Sequence, residues 1–138
     1  MQRHNRATSV RSILGLTGAD AESAHVVPQA AGAAILEQFP KGVPGSSPYS
    51  PGRALTVLLP PGTHSAFDQG WVSVWNARIA GGAEITAGDV NAMVGAALDQ
   101  IPASMMSPAA KGSLQWRLFS ELFGELGLAP DTVLVPKK

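Results

Sequence analysis

The sequence predicts an α+β fold: a mostly helical single domain with a small β element leading into a helix, followed by a C-terminal helical region. Three observations predict it. Two short segments rich in β-forming residues, His25-Val26-Val27 and Leu55-Thr56-Val57-Leu58-Leu59, lie among stretches whose apolar residues recur at helical spacing. The 138 residues are 45% hydrophobic and 14% charged, which suits a packed domain rather than a disordered chain. No internal repeat or second domain is visible, so residues 1–138 are expected to form one domain with a loose, polar tail over 1–8.

In chain order, Ser9 to Leu16 reads as a short helix ended by Gly15 to Gly18. His25 to Val27 reads as extended, because Pro28 biases the preceding residue away from the helical region. Gln29 to Phe39 predicts a helix with Ile35, Leu36 and Phe39 apolar, stopped by Pro40. Lys41 to Gly52, KGVPGSSPYSPG, is a Gly/Pro/Ser loop and the segment expected to be most mobile. Leu55 to Leu59 predicts a strand, Pro60-Pro61-Gly62 a break, and Thr63 the N-cap of a helix. That helix carries Phe67, Trp71 and Trp75 at successive i+4 positions, hence on one face.

Gly81-Gly82 breaks the chain, and Thr86-Ala87-Gly88-Asp89 is a T-x-x-D capping box opening a helix to about Gln100. Its apolar face is Val90, Met93, Val94, Ala97 and Ile101, and Pro102 ends it. Ser107-Pro108 pairs an N-cap residue with proline at the first helical position. The helix that follows has Leu114, Leu118, Leu122 and Leu126 at strict i+4 spacing, with Trp116, Phe119 and Phe123 widening the face. Gly127 is its expected C-cap, and Thr132 to Val135 a terminal strand. The Met and aromatic stripes read as core.

Composition excludes several function classes. With no cysteine there is no disulfide framework, no thiolate zinc site, no cysteine nucleophile and no zinc nucleobase deaminase. Ten basic and ten acidic residues give a formal net charge of +0, which argues against a long phosphate-tracking surface but not against contact with a short length of backbone. No apolar run reaches membrane-spanning length, and MQRHNRATSV lacks the apolar core of a signal peptide.

The candidate chemistry lies in the histidines. His4 falls in the polar tail, whereas His25 and His64 each sit where an apolar segment meets a turn. His64 and Asp68 are i and i+4 in the first turns of a helix, so their side chains point the same way. The alternative is a surface helix with a solvated His/Asp pair.

The run Ala24-His25-Val26-Val27-Pro28-Gln29, followed by Leu55 to Pro60 and then Thr63-His64, resembles the HNH or His-Me-finger nucleases (endonuclease VII-like). It is most similar to the toxin domains at the C-termini of bacterial polymorphic toxins. The similarity covers residues 22–76, a ββα nuclease core; 86–138 is then a helical accessory region. The resemblance implies a toxin domain that hydrolyses nucleic-acid phosphodiester bonds, with DNA the expected substrate. It further implies delivery by a larger secreted polypeptide, action in the target-cell cytoplasm and a cognate immunity protein as partner.

By the same resemblance His25 matches the general base, and His64 the histidine that opens the helix and ligates one divalent metal (Mg²⁺ or similar), with Asp68 the second helix ligand. Two family positions differ. Ala24 stands where an Asp or His usually ligates the metal, so Glu22 or Asp20 becomes the candidate ligand. Arg53, Ala54 and Leu55 occupy the place of the asparagine that orients the base. Arg53 is then a candidate phosphate clamp, which suits a metal-independent variant. Two alternatives stand beside this reading: a catalytically inactive protein-interaction module, and a metal-independent RNase toxin using His25 and His64.

Overall fold

A computed structural model describes residues 2–3, 22–46, 48–52 and 54–138. Strand β1 (Gln2–Arg3) and strand β2 (Glu22–His25) flank strand β3 (Leu55–Leu59) in an antiparallel sheet ordered β1-β3-β2. Helix α1 (Gln29–Gln38) lies between β2 and β3 in sequence, and helix α2 (Pro61–Ala80) follows β3 almost directly. Strand β4 (Ile85–Thr86), helix α3 (Ala87–Gln100) and helix α4 (Pro108–Phe119) come next. A π-helical turn (Ser120–Glu125) extends α4, and strand β5 (Val133–Val135) pairs antiparallel with β4 as a second small sheet. The α+β expectation is met. No helix among the described residues is long and apolar enough to cross a membrane.

The strands differ from expectation at their ends. The first long one is Glu22–His25 rather than His25 to Val27, paired Glu22↔Leu59 through His25↔Thr56. The regular pairing ends at His25, with one further bond from Val26 N to Leu55 O at 3.0 Å, because Val26 and Val27 turn into the core, both 0% exposed, ahead of a proline with no N–H to donate. Gln2–Arg3, expected in a loose tail, adds to the other edge of β3. The expected helix from Ser9 to Leu16 lies outside the described residues. The proline pair is the helix start rather than a break: Pro61 takes the first helical position, where its fixed φ and missing N–H cost nothing. Thr63, expected as the N-cap, is instead buried within the first turn.

One hydrophobic cluster joins the sheets and helices, from Ala24 to Leu134, so residues 86–138 share a core with 22–76. Phe67, Trp71 and Trp75 of α2 and Val90, Val94 and Ala97 of α3 are all buried in it, and the two helices pack against each other. Gly70 allows the close approach: a Cβ there would lie 2.9 Å from that of Ala97. Leu114, Leu118, Leu122 and Leu126 are all buried. Their strict i+4 spacing explains the π turn. On an α-helix such a stripe drifts by about 40° per step, and the wider turn, closed by Leu126 N donating to Glu121 O at 2.8 Å, takes that drift back. Trp116 and Phe119 depart from the expected core face; they are 64% and 45% exposed and stack on each other at 5.7 Å.

The start of α3 carries the predicted capping box. Asp89 N donates to Thr86 Oγ1 at 3.1 Å, and Thr86 N donates to Asp89 Oδ2 at 2.9 Å. Arg78 near the end of α2 reaches the same carboxylate at 3.3 Å. Burial alone would raise the Asp89 pKa, but the two Thr86 hydrogen bonds and Arg78 outweigh it and hold the carboxyl below its ordinary 3.8. A carboxylate lowered by folding stabilises the fold fully above its unfolded pKa and loses that contribution as pH falls through the folded one. Thr86→Ala is therefore expected to cost about 1 kcal/mol at neutral pH. The stability gap between wild type and Asp89→Asn should be widest near neutrality and close as pH drops below 3.8. Urea denaturation across pH checks both; a gap that widens in acid would contradict the assignment.

Candidate active site

The β2–β3 pairing, followed at once by α2, brings together side chains far apart in sequence. Along β2 alternate residues face opposite ways. Ala24 enters the core, at 2% exposed, so Ser23 and His25 share the other face. On α2, His64, Asp68 and Trp71 recur at helical spacing. Ser23, His25, Gln29, His64, Asp68 and Trp71 line one cleft of about 410 Å³, with Pro28 and Val72 supplying apolar wall. The volume suits a small-molecule group or a short stretch of a larger ligand. The sequence-predicted histidines thus line the same cleft, His25 from the end of a strand and His64 from the first turn of a helix.

His25 is half-buried and its ring is held from two sides. Its Nε2 lies 3.3 Å from the Pro51 carbonyl, an acceptor only, so that nitrogen carries the proton. Nδ1 is left as the basic nitrogen and faces the Gln29 amide at 3.5 Å. A carbonyl from the loop between α1 and β3 thus fixes one side of the His25 ring. Pro51 and Gln29 were not singled out from sequence. A carbonyl carries no sequence signal, although Gln29 does stand four residues after His25.

His64 lies between two carboxylates. Its Nδ1 is 3.5 Å from Glu22 Oε1 on β2, and its Nε2 is 3.2 Å from Asp68 Oδ2 one turn along α2. An imidazolium can donate to both; the neutral ring can donate to only one. The first turn of α2 also contributes the partial positive charge of a helix N-terminus.

The three expected metal ligands, His64, Asp68 and Glu22, do come together, but on opposite edges of one ring. An ion at either ring nitrogen would meet one carboxylate, not two. Among the described residues no group of three His, Asp or Glu side chains is placed to hold a metal ion. The donor set is therefore a row of carboxylate, imidazole and carboxylate, not a shared three-ligand centre. Arg53, Asp20 and His4 lie outside the described residues. Two buried polar atoms of the cleft residues, Ser23 Oγ and Trp71 Nε1, have no hydrogen-bond partner among the described residues.

No protein-family model matches this chain, and no curated protein or solved structure matches it either.

Proposed function

We propose that this chain is a toxin domain that cleaves nucleic-acid phosphodiester bonds, DNA first among the candidates, with His25 as general base. The observation that carries the reading is the convergence of His25 and His64, from separate elements, on one cleft with Asp68. Water attacks phosphorus while His25 Nδ1 takes its proton, a transfer suited to a neutral imidazole near pH 7. As the phosphorus–oxygen bond to the leaving group breaks, the imidazolium form of His64 gives its Nε2 proton to the departing oxygen, which takes the place of Asp68 at that nitrogen, while Glu22 holds the ring at Nδ1. A short substrate contact accords with the formal net charge of +0. Delivery within a larger secreted polypeptide and neutralisation by an immunity protein belong to the same proposal.

The seat of the His64 ring between two carboxylates favours a second reading, cleavage of RNA without a metal. There His25 takes the proton of the 2′-hydroxyl, which attacks the adjacent phosphorus, and His64 again protonates the leaving oxygen.

Digestion of DNA and RNA by the purified chain, with Mg²⁺ and with a chelator, tests both. Cleavage of DNA by wild type and not by His25→Ala is the expected result. Chelator-insensitive cleavage of RNA alone selects the second reading. If neither polymer is cut, and expression in a bacterium leaves growth unaffected, the enzyme reading fails and an interaction module takes its place. Asp68→Asn should match His64→Ala in effect only if activity depends on an added metal.

A further inference from the structure

The geometry points to Tyr49 and Gly32 as positioning residues for His25: the Tyr49 ring, seated on the bare backbone of α1 at Gly32, holds the Pro51 carbonyl where it fixes the proton of His25 on Nε2. The functional meaning of this seat rests on the reading of His25 as the base. The seat itself is a matter of packing.

The loop from 41 to 52 reads from its sequence as the most mobile part of the chain, yet it is tied down at several points. Tyr49 is 4% exposed. A Cβ on Gly32 would lie 2.3 Å from its Cζ and 2.6 Å from its hydroxyl oxygen, so the ring occupies the space of a side chain. Upstream, Ser46 Oγ lies 2.3 Å from where a Cβ on Gly127 would stand, and Gly127 has φ +69°. Only a glycine suits both demands there. Downstream, Ala54 N donates to Ser50 O at 2.9 Å, which closes the chain around Pro51 before β3 begins. At the start of β3, Leu55 N donates to Oε1 of Glu121, a glutamate 2% exposed on the π turn. Burial, and then the charge of Glu121, push the Tyr49 hydroxyl up to about 12, so Tyr49 stays a neutral wedge at any working pH.

Pro51 is two residues beyond Tyr49, and its carbonyl is the acceptor for His25 Nε2. Which nitrogen of an imidazole carries the proton is set by the hydrogen bond the other makes. Moving the carbonyl should therefore let the proton redistribute between Nδ1 and Nε2, and a proton on Nδ1 removes the basic nitrogen from the cleft. The region after residue 86 takes part through Gly127 and Glu121, so it bears on the site rather than merely filling out the core.

The test reads the histidine rings by long-range proton–nitrogen NMR on the intact chain. In wild type, His25 should show the Nε2–H tautomer. Gly32→Ala and Tyr49→Leu should each convert it to a mixture of tautomers, while the His64 ring signals, whose partners Glu22 and Asp68 lie off the loop, stay in place. Tyr49→Phe keeps the wedge and should keep the wild-type tautomer. Where wild type cleaves a substrate, Gly32→Ala should lower kcat at least tenfold with KM little changed, and Tyr49→Phe should retain the rate.

A wild-type His25 protonated on Nδ1 overturns the proposal, as does an unchanged tautomer in folded Gly32→Ala and Tyr49→Leu. If neither variant folds, Tyr49 supports the whole domain rather than this one carbonyl, and the proposal fails too. A tautomer that responds as expected in a protein that cuts neither DNA nor RNA keeps the seat and discards the nuclease reading.

Discussion

His25→Ala should lower phosphodiester cleavage by about 10²–10⁴-fold, the usual contribution of a positioned general base, and leave the fold intact. The side chain is half-buried at the end of β2, with its ring at the cleft rather than in the core cluster. Truncation opens no large cavity, and the backbone pairing of His25 with Thr56 does not need the imidazole. The rate loss should appear in kcat, because the base acts on a proton in flight rather than on bound substrate. His64→Ala should lower kcat as well, and also weaken binding, since it removes the group between Glu22 and Asp68 and leaves two carboxylates facing a polyanion. Initial rates on whichever polymer wild type cuts, with thermal melts alongside, provide the check. Residual activity within a few-fold of wild type in folded His25→Ala would end the assignment of the base.

Leu118→Ala should destabilise the domain by about 2–5 kcal/mol, the range for large-to-small changes in packed cores. Leu118 is 0% exposed at the end of α4, flanked along the same stripe by Leu114 and Leu122. The cavity cannot close easily, because the π turn just beyond it is committed on both sides. Leu128 N donates to Leu122 O at 3.0 Å, and Glu121 of the same turn accepts from Leu55 N. With total stabilities of small domains near 5–15 kcal/mol, this one change removes a large share. Urea denaturation measures it directly. A change within about 0.5 kcal/mol, the range typical of surface positions, would mean that the stripe is not core.

What the sequence by itself determined is local. The Thr86/Asp89 capping box, the Ser107 cap with Pro108, the extent of α1 and α3, strand β3 and the His64/Asp68 pair each depend on residues within about four positions of one another. There backbone geometry alone sets which groups meet. The leucine stripe predicted one continuous helix to Leu126; the π turn over Ser120–Glu125 departs from that, because i+4 spacing and 3.6 residues per turn do not agree.

Tertiary structure decided the rest. Whether Trp116 and Phe119 face the core depends on which other elements cover that side of α4, and none of the described ones covers it fully. Whether His25 and His64 line one cleft depends on the register Glu22↔Leu59, which sets β2 beside the start of α2 across more than thirty intervening residues. That register also brings Glu22 to the His64 ring, and the packing of Tyr49 on Gly32 brings a backbone carbonyl to His25. Such pairings are long-range: the burial of Val26, Val27 and Tyr49 against distant partners offsets the entropy of closing the loops between them.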